Sequence, residues 1–319
     1  MRSMIEVRFP LIMIKLDPSI LYKLKTKHYK VLGFIYTVIA FAGIGFTIAF
    51  LLKSLYDFIF RPNNFTPVVT PLIPGIEIGG LKLPLIEGII AISIAALVHE
   101  LAHAQMLVSL NRKIKSWGLA LLGPILAAFV EPDEEEFKKD KPINRIMVLS
   151  AGPAVNIILG LIFLGLSNIL FPYFHQYKCL KLVKTTNPDL EGVKCIYSID
   201  NTNVTIKNIR DIIYKHKPGD RVIVNTDKGE IVTKLKEKNG KPFLGVWVIP
   251  YYIKKGFYFL YSLISVLGIV NIGIGLANLV PLFITDGAQI LREFLNKYWV
   301  EINSFFLTIV LINIIWSIL

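Results

Sequence analysis

Long apolar runs separated by polar stretches dominate the pattern of this chain. Five runs are longer than the roughly 20 residues that a helix needs to cross a bilayer. They cover approximately residues 31–52, 85–110, 146–171, 257–280 and 299–319. The pattern predicts a polytopic α-helical membrane protein with about five transmembrane helices.

Residues 174–250 follow a different pattern. Isoleucines at 206, 209, 212 and 213 have the spacing of an amphipathic helix over 205–217, with Thr205 or a neighbour as its cap. Turn residues such as Pro218-Gly219-Asp220 separate predicted strands at 221–226, 230–236 and 243–249. This stretch therefore reads as a compact α+β domain.

Composition agrees with a membrane protein, since 54% of the residues are hydrophobic and the net charge is +12. The basic residues are dispersed without a nucleic-acid-binding motif, so we expect anionic lipid surfaces rather than nucleic acid as their partners. The apolar patch FPLIMI, from Phe9, lacks a following cleavage site for a signal peptide. Whether this patch lies on the membrane surface or packs on the helix bundle stays open.

The distribution of Lys and Arg orients the predicted spans. Five lysines between residues 15 and 30 place the N-terminus in the cytoplasm. Alternation then makes 174–250 extracytoplasmic, although it is rich in lysine, because the charge rule is weak for long connections. Cys179 and Cys195 both fall in this segment, where a disulfide could form.

The second predicted span contains an HExxH motif, formed by His99, Glu100 and His103. Histidines four residues apart lie on one helix face, as two ligands of a tetrahedral zinc require. Glu100 is rotated around the helix, where it can act on a water at the metal instead of binding the ion. A charged group at the centre of a membrane helix costs roughly 2.5–3.5 kcal/mol, and metal ligation would explain the cluster. The alternative is a set of hydrogen-bonded histidines in a helical bundle.

A catalytic zinc needs a third protein ligand and one open position. The acidic run at 131–136 lies in a hydrophilic connection and is typical of a solvated face. Asp286 is the stronger candidate, because NLVPLFITDG ends the fourth span on the side of the membrane predicted for His103. The alternative is that Asp286 caps a helix that starts near Ala288.

Two asparagines lie within the predicted spans. Asn156 ends the sequence AGPAVN, whose Gly and Ala permit close helix approach, and Asn278 begins NLVPLFITDG. An amide in apolar surroundings needs a hydrogen-bond partner. For Asn156, an interhelical hydrogen bond and a role in holding substrate or stabilising an oxyanion both stay open.

The motifs HELAH, AGPAVN and NLVPLFITDG, in this order on three spans, resemble those of the site-2 protease family of intramembrane zinc proteases. Thr285 and Ala288 depart from the Leu and Gly that usually flank Asp-Gly in that family. The resemblance implies one zinc ion (Zn2+) per chain and six site residues: the metal ligands His99, His103 and Asp286, and the catalytic residues Glu100 (general base), Asn156 and Asn278.

The same resemblance implies further structure. It suggests a membrane-associated β-hairpin in the apolar, Gly-containing segment 113–131, with an exposed edge that could pair with a substrate strand. It also suggests a circularly permuted PDZ-like domain at 174–250, for which a passive spacer is the alternative. The expected organisation is a cytoplasmic N-terminal segment (1–30), a membrane domain in two parts (31–173 and 251–319) and the inserted extracytoplasmic PDZ-like domain (174–250).

These predictions describe a multi-pass protein of the cell membrane. The expected activity is that of a zinc metalloendopeptidase, a hydrolase that cleaves transmembrane segments of membrane-protein substrates in regulated intramembrane proteolysis. Its expected partners are those substrates and the lipid bilayer. One alternative is another membrane zinc protease with a downstream Glu ligand, but the only downstream Glu residues in a helical, membrane-proximal context, Glu293 and Glu301, lack the needed pairing pattern. The other is a non-enzymatic PDZ-bearing scaffold or transporter.

Overall fold

The computed structural model of the 319-residue chain describes residues 4–8 and 11–319, so Phe9 and Pro10 of the apolar patch lie outside the described residues. The chain forms two compact units. The second unit is Leu170–Tyr258, which contains the predicted inserted domain, and the first unit comprises the described residues on either side of it.

The helices account for most of the first unit. Within the described residues, five stretches are long and apolar enough to cross a membrane, as predicted, with the last one running from Asp286 to Ile318. The first helix extends to Phe60, beyond its apolar run, where Lys53 and Asp57 form an i,i+4 ion pair at 2.7 Å. The α-helices in the described residues are α1 Tyr29–Phe60, α2 Leu85–Ser109, α3 Glu134–Lys139, α4 Pro142–Phe174, α5 Ile209–Ile213, α6 Tyr258–Ala277, α7 Asp286–Leu295 and α8 Trp299–Ile318.

Small residues bring the site-bearing helices close together. Ala91 and Ala95 of α2 are fully buried in a cluster with Val270 of α6. A Cβ atom added to Gly160 of α4 would lie 2.8 Å from the backbone nitrogen of Ile272 in α6. Such close approach is the usual way in which helices pack within a bilayer, and it brings the three predicted motifs together.

A sharp turn links α6 to α7 and sets the position of Asp286. Thr285, not Asp286, is the N-cap of α7, because its hydroxyl oxygen accepts a hydrogen bond from the backbone N–H of Ala288 at 3.3 Å. The alternative role of Asp286 as the cap is therefore wrong. The N–H of Gly287 donates to the carbonyl oxygen of Asn278 at 2.8 Å, and any side chain at 287 would collide with the backbone of Leu279.

The predicted hairpin is present as part of a larger antiparallel sheet. Its strands are Ile114–Leu122 (β5) and Ile125–Pro132 (β6). With Met4–Arg8 (β1) and Leu11–Leu16 (β2) they form a sheet in the order β1-β2-β5-β6. The N-terminal segment thus contributes two strands that its sequence did not reveal, and the indole N–H of Trp117 ties it down by donating to the carbonyl oxygen of Asp17 at 2.7 Å. The strands of this unit are β1 Met4–Arg8, β2 Leu11–Leu16, β3 Glu77–Ile78, β4 Leu81–Lys82, β5 Ile114–Leu122 and β6 Ile125–Pro132.

Two backbone N–H groups on the outer edge of β6 are bound by α2, so the edge predicted to be exposed is partly occupied. The backbone N–H of Leu126 donates to the hydroxyl oxygen of Ser93 at 3.0 Å, and that of Val130 donates to the Glu100 carboxylate at 3.1 Å. Backbone groups at membrane depth need partners within the protein, and α2 supplies two of them.

The second unit is an antiparallel sheet with one short helix, α5. Its strands are β7 His175–Thr185, β8 Cys195–Ile199, β9 Thr202–Asn203, β10 Arg221–Thr226, β11 Gly229–Lys234, β12 Lys236–Lys238, β13 Lys241–Phe243 and β14 Val246–Lys254. The sheet order is β11-β10-β8-β7-β14, with β9 paired to β8, and Cys179 and Cys195 form a disulfide between β7 and β8.

Two predicted elements of this unit differ from the structure. The helix predicted at 205–217 is only five residues long, because Thr205 and Asn208 form a hydrogen-bonded turn before it, in which the Asn208 side chain accepts from the Thr205 N–H at 2.6 Å. The strand predicted at 243–249 is interrupted at Gly245, which has a positive φ of 80°.

Candidate metal centre

Three side chains from distant parts of the first unit converge on one point. The Nε2 atoms of His99 and His103 on α2 lie 3.1 Å apart. The Oδ2 atom of Asp286, at the start of α7, lies 3.1 Å from His99 Nε2 and 3.4 Å from His103 Nε2. His99 is buried, with 7% of its surface exposed. The structure therefore brings together the three residues that the sequence predicts as metal ligands.

These distances suit a tetrahedral metal ion. With bonds of about 2.0–2.1 Å, two ligand atoms of a tetrahedral zinc lie about 3.3 Å apart. The three observed separations, from 3.1 to 3.4 Å, are close to that value. Two imidazoles and one carboxylate also leave one tetrahedral position for a water or a substrate. The donor set thus fits a catalytic zinc.

Gly152 keeps space open at the point of convergence. A Cβ atom added to this residue of α4 would lie 2.5 Å from His103 Nε2 and 2.6 Å from His99 Nε2. The only residue type that leaves room beside both nitrogens is therefore glycine. The motif AGPAVN by itself predicts Gly152 only as a helix-packing residue.

The other ring nitrogens of the two histidines also have partners. Nδ1 of His103 lies 2.7 Å from the carbonyl oxygen of Val148, and Nδ1 of His99 lies 3.4 Å from the amide nitrogen of Asn156. Asn156 is fully buried, and its Oδ1 has no hydrogen-bond partner in the described part of the chain. Asn156 therefore contacts a predicted metal ligand from behind, on the ring nitrogen remote from the cluster.

The other two predicted catalytic residues form hydrogen bonds outside this cluster. Glu100 follows His99 on α2 and is turned toward β6, where it accepts the hydrogen bond from Val130. The amide of Asn278 donates to the carbonyl oxygen of Ile274 in its own helix at 3.0 Å. Among the described residues, the hydrogen bonds of Asn278 connect it to α6 and α7 and not to the imidazoles.

Three of the acidic residues considered as alternative ligands have other partners. Asp133 caps α3 by accepting from the N–H of Glu136 at 3.1 Å, and Glu131 accepts from Ser116. The carboxylate of Glu293 pairs with Arg145 of α4, at 2.9 Å from its Nε. These contacts account for the acidic groups without a metal.

Comparison with known proteins gives two matches. A family model described as peptidase family M50 matches residues 87–315, which include all three motifs. An uncharacterized protein of Methanocaldococcus jannaschii is 31% identical to this chain over 206 residues, which are 63% of this chain and 56% of that protein. The match thus spans little more than half the length of this relative.

Proposed function

The chain belongs to peptidase family M50, the site-2 protease family of intramembrane metalloproteases, and on that premise we propose that it is a zinc-dependent endopeptidase that cleaves membrane-spanning segments of other proteins. The observation that carries the proposal is the convergence of His99, His103 and Asp286. Two imidazoles and a carboxylate from α2 and α7 would hold one zinc ion per chain.

Glu100 is the proposed general base of the reaction. A zinc ion at this cluster would supply a Lewis acid that polarises a peptide carbonyl and acidifies a water. Glu100 is adjacent to His99 in sequence, so its carboxylate can take the proton of the attacking water and return it to the leaving amine. Asn156 orients His99, and Asn278, at the turn before α7, contacts the substrate chain.

The substrate we propose is a helix that unwinds before it is cleaved. A transmembrane helix keeps its carbonyl groups in intrachain hydrogen bonds, so attack requires an extended segment. The sheet that contains β5 and β6 lies beside the HExxH helix, and strand pairing with it would offset part of the cost of unwinding. We propose that the N-terminus is cytoplasmic and that the second unit is extracytoplasmic.

The second unit is proposed to act as a PDZ-like filter of substrates. It has a groove of about 610 Å³ between α5 and the strands β13 and β14. Apolar side chains such as Ile213 and Val248 line this groove, and Arg210, Lys238 and Lys241 also border it. A groove of this form can take an extended chain end, and the unit as a whole can exclude substrates with a large extracytoplasmic part.

The first experiment is a measurement of zinc per protein in the detergent-purified wild type and in Asp286→Ala. We expect about one zinc per chain in the wild type and a marked loss in the variant. Cleavage of a reconstituted single-span substrate should then require zinc and Glu100. A Glu100→Ala variant that cleaves at the wild-type rate would refute the assignment of the base, and folded wild type without zinc would favour a non-enzymatic scaffold.

A further inference from the structure

Two side chains of α2 close the outer edge of β6. Ser93 and Glu100 are seven residues apart, about two helical turns, and therefore lie on one face of α2. Leu126 and Val130 are four residues apart on β6, so their N–H groups point to the same edge of the strand. Ser93 accepts from the first and Glu100 from the second, at 3.0 and 3.1 Å.

This edge lies against α2, the helix that carries His99 and His103. The opposite side of the hairpin is occupied, because β5 pairs with β2 from Trp117 to Leu122. A peptide strand that joins this sheet beside the HExxH helix must therefore pair with β6. Such a strand would need the N–H groups of Leu126 and Val130, which are the two groups that α2 now occupies.

We propose that the two hydrogen bonds from β6 to Ser93 and Glu100 of α2 act as a latch. An extended substrate strand displaces these bonds when it pairs with β6, and Glu100 is thereby released. The proposal rests on the function proposed above, because it assumes that Glu100 is the base and that substrates bind as strands. A substrate carbonyl takes over the N–H of Val130, and the Glu100 carboxylate loses this partner. Both of its oxygens are then available to the attacking water. Substrate pairing and delivery of the base become one event.

Ser93 makes the latch testable apart from the chemistry. It lies two turns from Glu100 toward the beginning of α2, and it is not among the metal ligands. Its hydroxyl caps the strand edge as Glu100 does, but it has no part in the proposed reaction. Removing this hydroxyl should weaken the latch and leave the metal centre intact.

The experiment measures how tightly the full-length protein binds a peptide in Glu100 variants that cannot cleave it. Glu100→Gln keeps a carbonyl acceptor for Val130 but cannot take a proton, and Glu100→Ala removes the acceptor. The probe is a fluorescent single-span helix with a central Asn-Pro pair, titrated by anisotropy in detergent. Two proteins lack one hydrogen bond of the latch: Glu100→Ala, and the double variant that combines Ser93→Ala with Glu100→Gln. We expect each to bind the probe about five- to tenfold more tightly than Glu100→Gln alone, because this is the factor that one hydrogen bond supplies. Ser304→Ala, which removes an exposed hydroxyl from α8, is the matched control and should change nothing.

A second readout is amide hydrogen exchange of the β6 segment. Exchange at residues 125–131 should be faster in Ser93→Ala than in the wild type, and bound probe should slow it in both. Equal dissociation constants among the variants, or no binding to any of them, would overturn the latch. A failure of the proposed function gives a different result, because the zinc-loaded wild type would then not cleave the probe. The order of the dissociation constants would still show whether the latch exists.

Discussion

The Nδ1 nitrogen of His103 donates a hydrogen bond to the carbonyl oxygen of Val148 across 2.7 Å. A carbonyl oxygen can only accept, so Nδ1 carries a proton, and in the neutral ring the lone pair of Nε2 then points to the cluster. For His99 the corresponding partner is the amide of Asn156, whose nitrogen lies 3.4 Å from Nδ1. The Oδ1 atom of Asn156 has no hydrogen-bond partner among the described residues. A half-turn of the amide would bring Oδ1 to His99 Nδ1, where it could accept a hydrogen bond. Asn156 would then fix the tautomer of His99 as Val148 fixes that of His103.

We predict that Asn156→Leu weakens zinc binding by about 10- to 100-fold, because His99 loses the acceptor that keeps its Nε2 free for the metal. Asn156→Asp keeps an acceptor at the same position and should bind zinc nearly as well as the wild type. Competition with a chromogenic chelator gives both affinities. Equal zinc affinities for Asn156→Leu and the wild type would show that the amide does not orient His99.

Gly152→Ala should abolish stoichiometric zinc binding, because its methyl group would lie 2.5 Å from His103 Nε2 and 2.6 Å from His99 Nε2. The matched control is Gly165→Ala on the same helix, where an added Cβ has no neighbour within 4 Å. Metal analysis of the two purified variants, with the helix content of each measured by circular dichroism, checks the prediction. One zinc per chain in Gly152→Ala would mean that the ion binds elsewhere.

The cap of α7 provides a separate test of how Asp286 is positioned. Thr285→Val removes the hydroxyl that accepts from Ala288, and we expect it to lower the free energy of unfolding by about 1 kcal/mol. Thr285→Ser keeps the hydroxyl and should be close to the wild type. Zinc affinity should fall less in Thr285→Val than in Asp286→Ala, since the ligand itself remains. A Thr285→Val protein that loses all zinc would instead assign Thr285 a direct role at the metal.

Local patterns explain which parts of this structure could be predicted from the sequence. The spanning helices follow from long apolar runs, and the ligand pair His99 and His103 follows from helical spacing. The approach of Asp286 to this pair was predicted from the alternation of the spans and from a resemblance between motifs, since no local rule connects residues so far apart in the chain.

Features that depend on distant partners escaped prediction for the same reason. Strand β2 pairs with β5, about a hundred residues away, and its short apolar run had no pattern that separates a strand from a surface helix. Thr285 as the cap of α7 could have been inferred, because Thr followed by Asp-Gly is a helix-start signal. The closure of β6 by Ser93 depends on how the sheet packs against α2, which sequence spacing does not encode.

Stability should depend on pH through Asp227 in the second unit. The backbone N–H groups of Cys195 and Lys194 donate to its carboxylate at 2.9 and 2.8 Å, and these bonds hold the pKa of that carboxyl below its usual range. A pKa lower in the folded than in the unfolded state stabilises the fold above the unfolded value of about 3.9, and this contribution is lost as the pH falls through the folded pKa. Asp227→Asn should therefore lower the melting temperature by a constant amount between about pH 6 and 8. The difference from the wild type should shrink below about pH 4, and an equal difference at all pH values would contradict this origin.

The disulfide between Cys179 and Cys195 should stabilise the second unit by limiting its unfolded states. The two cysteines are 16 residues apart in sequence, and closing a loop of about this length is worth about 3 kcal/mol in the chain-entropy model. We expect no free thiol in the native protein and two after reduction in denaturant. Cys179→Ala combined with Cys195→Ala should lower the melting temperature of this unit but leave zinc stoichiometry unchanged, because every proposed ligand lies in the first unit. Two reactive thiols in the untreated protein would show that the bond does not form, and the double variant would then melt at about the same temperature as the wild type.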